Sequence, residues 1–251
     1  MIRARGVRFA FPGRPVLDDI TIDIEESLTT VIVGRSGIGK SVFLKCITGL
    51  LRPQAGSITI DGDEVVGASR ADLQSIRRRV GMLFQEGALF DSMSVYENVA
   101  FPLMYHKSAS GKEIDKRVKA YLDLVGMPEY SQAMPQELSG GMKRKVAVAR
   151  AMIMEPRYLL YDEPTAGLDP ASAAIVESML RRLQREGAIT SLVVTHDIDL
   201  TRYIADRIAL MEDGRISADA AREDAFQESS AIYEHFIVNR ERIRAENDNQ
   251  G

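Results

Sequence analysis

The chain of 251 residues has a single cysteine, Cys46, so it forms no intramolecular disulfide and suits a reducing compartment. No run reaches the roughly 18 apolar residues that a membrane-spanning helix needs. The opening "MIRARGVRFAFPG" is too polar for the apolar core of a secretory signal. The expectation is a cytoplasmic, soluble chain that reaches a membrane only through a partner. Excess positive charge is also lacking: 32 basic against 36 acidic residues leave a formal charge of −4, which argues against nucleic acid as a partner. There is no internal repeat and no low-complexity linker, although "RERIRAENDNQG" at 240–251 is highly polar. The length suffices to bury a sizeable core, as one large α/β domain or two small ones.

What is present is strand and helix patterning at both ends of the chain around a mostly helical middle. "RGVRFAF", "ITIDIE" and "LTTVIVG" alternate as strands, with turn chemistry at "PGRP" and "DD". "GKSVFLKCITGLL" places apolar residues at 42, 43, 46, 47, 50 and 51, a helical face that Pro53 should stop. "GSITIDGDEV" predicts a hairpin about Asp61-Gly62. Residues 112–126 and 136–154 carry helical periods, and "RYLLYDE" and "TSLVVTH" are short apolar runs of the kind buried in parallel sheets. Between those runs, "DPASAAIVESMLRRLQREG" predicts a helix capped by Asp169, with Pro170 in its first turn and Gly187 at its end. Residues 81–103, "GMLFQEGALFDSMSVYENVAFPL", fit neither pattern cleanly, though "VGMLFQ" reads as a strand delivering Gln85.

"GRSGIGKS" carries the chemistry. Gly34, Arg35, Ser36, Gly37, Ile38, Gly39, Lys40 and Ser41 match the spacing of a phosphate-binding loop, and Val42 continues into the helix. Glycines let the loop wrap so that consecutive amides face phosphate oxygens, Lys40 supplies a point charge for the β and γ phosphates, and the Ser41 hydroxyl suits Mg²⁺. The match lies between a predicted strand and a predicted helix, as the mechanism requires. A second element should be a strand ending in acids, and "YLLYDE" provides Asp162 for the metal shell and Glu163 to polarise the attacking water. Together they read as a nucleotide hydrolase.

"LSGGM" followed by "KRKVAVARA", then "LLYDEPTAGLDP" and "VVTHD", resembles the ordered motifs of ATP-binding cassette (ABC) ATPases from Phe11 to about Gly214. The resemblance implies an α/β P-loop NTPase (RecA-like) core with an antiparallel β subdomain over 1–85 and 157–220. It further implies an inserted α-helical subdomain over 86–156 and a C-terminal helical extension over 221–251. It implies ATP with Mg²⁺, and a head-to-tail pair of copies in which Ser139, Gly140, Gly141 and Asp169 serve the nucleotide on the partner's Lys40 loop. A Ser and two Gly at a helix N-terminus are independently a plausible anion site. Phe11 takes the place of the ring that stacks on adenine, with Phe9 a core residue. His196 takes the place of the histidine near the γ-phosphate, and Gln85 that of the glutamine touching Mg²⁺ and water. Residues after Gln85, notably Leu89, Phe90, Met93 and Tyr96, would line a groove for a helix of a membrane subunit, with about half of them packing the helical subdomain's own core instead.

The "FQEGALFDSMSVYENVA" run, Ile38 and Met142 resemble the ATPases of Mla/Mce-type phospholipid transporters of the Gram-negative envelope. The partners so implied are an MlaE-like permease, a periplasmic Mce-domain protein and a small STAS-domain regulator, with the chain peripheral on the inner membrane. An importer ATPase for another solute, of amino acid or betaine type, is the alternative. DNA-repair, ribosome-acting, kinase and GTPase readings lack their own sequence features here. Phe226, Ile232, Tyr233, Phe236 and Ile237 suggest an apolar face that packs either on a partner ATPase or a regulator, or on the chain's own sheet.

Overall fold

The computed structural model describes residues 1–85, 87–186 and 189–234. Two strands open the chain, β1 (Ile2–Phe11) and β2 (Arg14–Ile24), followed by β3 (Thr29–Val33), α1 (Lys40–Ile47), β4 (Ala55–Ile60) and β5 (Asp63–Glu64). Then come α2 (Arg70–Arg78), β6 (Val80–Leu83), and the three helices α3 (Val95–Tyr105), α4 (Gly111–Leu124) and α5 (Gly140–Met152). The last part runs β7 (Tyr158–Asp162), α6 (Pro170–Glu186), β8 (Thr190–Thr195), α7 (Ile198–Ile204), β9 (Arg207–Glu212), β10 (Arg215–Ala221), and the short α8 (Arg222–Ala225) and α9 (Ala231–Tyr233).

Two sheets form. An antiparallel one has the order β2-β1-β4-β5, and a larger one the order β10-β9-β3-β8-β7-β6, parallel except for β10. Every residue of β3, β7 and β8 is buried, which explains their unbroken apolar runs: helices or the second sheet cover both faces. The pleat then sorts each run between two cores. Ile32, Tyr158, Leu160, Leu192 and Val194 join Phe43, Leu44 and the isoleucines of the antiparallel sheet. Val31, Val33, Leu159, Tyr161 and Val193 face α3 to α7. The β4–β5 hairpin forms as its sequence predicts, with Asp61 (φ 55°) and Gly62 (φ 89°) making the turn.

One expectation needs correction, and two questions the sequence left open are resolved. Helix α1 stops at Ile47, well short of Pro53: Gly49 adopts φ 64°, and the amides of Leu50 and Leu51 close back on the Lys45 carbonyl at 2.8 and 3.0 Å. Its buried apolar residues are therefore Phe43, Leu44, Cys46 and Ile47, while Leu50 is exposed. The stretch that fitted no pattern contains α3, begun by a capping box in which Ser94 Oγ accepts from Glu97 N and Glu97 accepts from Ser94 N. Ser94-x-x-Glu97 was the signal that could have found it; Pro102 within the helix obscured it. Finally, Ile232 is buried in the core beside β9 and Phe226 packs against the same cluster, so these two serve the molecule's own interior. Phe236, Ile237 and the predicted cap Gly187 lie outside the described residues.

Candidate active site

The loop between β3 and α1 has the shape its glycines allow. Gly37 and Gly39 adopt φ 77° and 118°, and a Cβ on Gly34 would come within 2.5 Å of the Met211 carbonyl. No side chain caps α1 and no acid stands in its first turn, so its leading amides and the positive end of its dipole are available to an anion. Lys40 is buried and donates to the carbonyls of Gly34 (2.8 Å) and Arg35 (3.1 Å). Its Nζ also lies 3.5 Å from Glu163 Oε1. Burial pulls the Lys40 ammonium below its ordinary pKa, and the Glu163 carboxylate works against that pull.

The two acids at the end of β7 diverge. Ser41 Oγ donates to Asp162 Oδ1 at 2.6 Å. Burial raises the Asp162 pKa, against the Ser41 hydrogen bond. Glu163 leaves the strand in a left-handed conformation (φ 47°), which turns its carboxylate toward the end of β8. There Glu163 Oε2 accepts from Thr195 Oγ1 at 2.9 Å and from His196 N at 3.3 Å, and lies 3.0 Å from His196 Nδ1. Thr195 was missed from sequence; as the last buried strand residue before His196 it has no pattern that marks it as a donor to Glu163.

A cleft of about 290 Å³ gathers Phe11, Ser36, Gly37, Gly39, Lys40, Ser41, Val42, Gln85, Glu163 and His196 from five separate segments, together with Arg14 and Val16, which the sequence reading overlooked. Phe11 is 45% exposed, its ring standing edge-on to buried Phe9 at 5.0 Å, so one face is free for a planar group. Such a cleft can hold a triphosphate against a helix N-terminus with a carboxylate and an imidazole beside its far end.

Gly34, Arg35 and Ile38 of the loop, and Asp162 bonded to Ser41, do not line this cleft, and four further predicted residues also lie outside it. Ser139 and Gly140 are exposed at the start of α5, where Ser139 Oγ accepts from Met142 N at 3.3 Å. Gly141 is buried, and a Cβ there would meet Ser172 Oγ at 2.9 Å, so its first structural job is close packing of α5 on α6. Asp169 caps α6 through Ser172 N at 3.0 Å. A second cleft, of about 430 Å³, runs between β6, α3 and α5 and includes Phe90, Phe101, Pro102, His106, Arg150 and Met154. Of the four proposed groove residues only Phe90 lines it; Leu89 and Tyr96 pack on the core and Met93 is half-buried.

Comparison with known proteins places this geometry. The family described as "ABC transporter" matches residues 17–166. The chain is 36% identical over 239 residues to the probable ribonucleotide transport ATP-binding protein mkl of Mycobacterium leprae, covering 95% of this chain and 69% of that one. It is 36% identical over 237 residues to the intermembrane phospholipid transport system ATP-binding protein MlaF of Haemophilus influenzae, covering 94% and 90%. It is 39% identical over 226 residues to the methionine import ATP-binding protein MetN of Clostridium tetani, covering 90% and 71%. A dimeric ATP-binding cassette in a post-hydrolysis state, bound to ADP and Pi, superposes with a TM-score of 0.81 at 30% identity, over 88% of this chain and 99% of that one. The phosphate loop, the paired acids, the family match and the superposition on that cassette converge on one assignment: the chain belongs to the ABC transporter family, as an ATP-binding ATPase subunit.

Proposed function

We propose that this chain powers phospholipid movement in an Mla-like transporter of the Gram-negative envelope, bound peripherally to the inner membrane through an MlaE-like permease. The observation that carries the reading is the likeness to MlaF over nine-tenths of that protein's length, joined to the cleft that assembles Lys40, Glu163 and His196. An Mce-domain protein and a STAS-domain regulator would complete the assembly. The division into a core over 1–85 and 157–220, a helical lobe over 86–156 and an extension over 221–251 belongs to the same reading.

In this mechanism Phe11 supports the adenine face, and the amides of residues 34–41 and Lys40 hold the β and γ phosphates. Glu163, oriented by Thr195, draws the proton from a water whose oxygen attacks the γ-phosphorus, while the bond to the β-phosphate oxygen breaks to leave ADP and phosphate. His196 and Gln85 hold the γ-phosphate and the water in line. The Ser41–Asp162 pair is a hard-oxygen set suited to Mg²⁺; among the described residues no cluster of three His, Cys, Asp or Glu offers a cage, so phosphate oxygens would complete the shell. When bound there, Mg²⁺ neutralises charge on the β and γ oxygens. Two copies pair head to tail, each presenting Ser139, Gly140, Gly141 and Asp169 to the other's nucleotide, as the dimeric cassettes support. The groove around Phe90 and Phe101 receives a permease helix.

A second reading, an ATPase for an amino-acid importer, draws on the comparable likeness to MetN. The test is purification of the tagged chain from native membranes in mild detergent, with mass spectrometry of proteins and lipids. Recovery of a permease, an Mce-domain protein and phospholipid is expected. Recovery of a solute-binding protein with a different permease would replace the cargo and leave the ATPase mechanism standing.

A further inference from the structure

Arg144 lies in the second turn of α5 and is 5% exposed. One nitrogen, Nη1, donates to the Phe84 carbonyl at 3.1 Å and to the Gln85 carbonyl; the other, Nη2, donates to the Ala166 carbonyl at 3.1 Å. Phe84 and Gln85 are the residues that leave β6 and carry Gln85 into the nucleotide cleft. Ala166 lies midway along the turn from Glu163 to Asp169, with its amide on the Glu163 carbonyl at 3.2 Å. That turn packs on the same end of α5: a Cβ on Gly140 would stand 3.3 Å from Leu168, and Gly141 abuts Ser172, whose amide holds Asp169. Three segments, each bearing a residue of the nucleotide chemistry, thus meet on one guanidinium.

The residue type matters. A guanidinium is a rigid planar fork with donors pointing in several fixed directions, so it can bind carbonyls on two different segments through separate nitrogens; a lysine ammonium gathers its donors on one atom and lacks the two nitrogens used here. Further along α5, Arg150 donates to the Gly87 and Ala88 carbonyls at 2.8 and 2.9 Å, and its guanidinium lies 5.7 Å from the Phe90 ring centroid. The segment between the nucleotide cleft and the groove is therefore fastened at both ends to one helix.

We propose that Arg144 is a positioning residue that makes the Gln85 segment, the Glu163–Asp169 turn and the Ser139 end of α5 move as one body. The placement of Gln85 in one nucleotide cleft then sets the geometry of the two motifs offered to the other. This rests on the reading in which Ser139 and Asp169 serve a partner's nucleotide.

The test uses the full chain with Arg144→Lys and Arg144→Met. Arg144 is not among the residues lining the nucleotide cleft. ATP affinity and KM should therefore stay within about twofold while kcat falls about tenfold or more. Amide exchange should quicken together in segments 84–90 and 165–168 while residues 34–41 keep their protection. In a Glu163→Gln background, ATP-driven dimerisation followed by light scattering should weaken with Arg144→Lys. Wild-type kcat in the lysine variant, loosening of only one segment, or ATP affinity falling in step with turnover would each overturn the proposal. If Glu163→Gln itself never dimerises with ATP, the two-chain reading falls instead, and the exchange result alone decides the role of Arg144. Should Arg144→Met fail to fold, the lysine variant carries the same outcomes.

Discussion

Helices α1 and α5 both have glycine at their N-terminal ends, Gly39 before α1 and Gly140 and Gly141 as the first residues of α5, yet those ends are built for different circumstances. At α1 the cap is Gly39 with no side-chain bond, and Lys40, Asp162 and Glu163 around it are all buried. At α5, Ser139 has already taken the Met142 amide, and Ser139 and Gly140 stand in solvent. A phosphate at α1 meets unspent amides and a buried cation, so its contacts are strong. A phosphate at α5 alone would compete with water for fewer donors. The same local motif is a complete half of a site in one place and a latent half in the other, strengthened only when a second surface removes the water.

The largest expected break in this comparison is Glu163→Gln, which should cut turnover by about 10²- to 10⁴-fold while ATP still binds. Phosphate release and nucleotide titration measure the two; turnover within tenfold of the wild type would remove Glu163 from its role. Next is Lys40→Ala. Losing a charge-assisted contact worth about 1.5–3 kcal/mol should weaken ATP binding on the order of 10- to 100-fold, seen by calorimetry. Ser139→Ala should leave ATP affinity of the single chain unchanged, lower turnover, and cost about 1 kcal/mol of stability through the lost cap, read from a denaturant titration. If it weakened single-chain ATP binding as Lys40→Ala does, the two helix ends would not differ as described.

The smallest effect concerns Asp169, which its Ser172 hydrogen bonds hold below the ordinary carboxylate range. Because the folded value is the lower one, the unfolded chain takes up the proton first as pH drops. The stabilising share is whole above about pH 4 and drains as pH falls through the folded value. Asp169→Asn should flatten that acid-side slope in a stability profile and change little at pH 7. A slope that persisted would assign it to another carboxylate.

Much was legible because the chemistry demands fixed spacing. Residues 34–41 and the acids after "YLLY" need their neighbours in order, and the structure sets them at the ends of β3 and β7, the two strands that flank β8, and at α1. The α1 terminus was misjudged because Pro53 is the louder breaker, whereas Gly49 acts first by adopting a conformation other residues avoid. Helix α3 escaped because apolar Met104 and Tyr105 are exposed while polar Asn98 is buried, which blurs the period; its capping box remained readable. Leu89, Tyr96 and Phe90 look alike in sequence, and nothing in it separates the two that pack the core from the one that lines a groove.

By itself, the sequence determined the phosphate loop, the caps at Ser94, Ser139 and Asp169, the β4–β5 turn and the buried strands. Glycine freedom, capping and pleat are properties of near neighbours in the chain. Only the tertiary structure decided that Phe11, Gln85, Glu163 and His196 share a cleft with Lys40, that Thr195 aims Glu163, and that Arg144 joins three segments. Those meetings depend on strand order in the sheet and on α5 packing across it, and contacts between residues so far apart in the chain leave no local pattern to read.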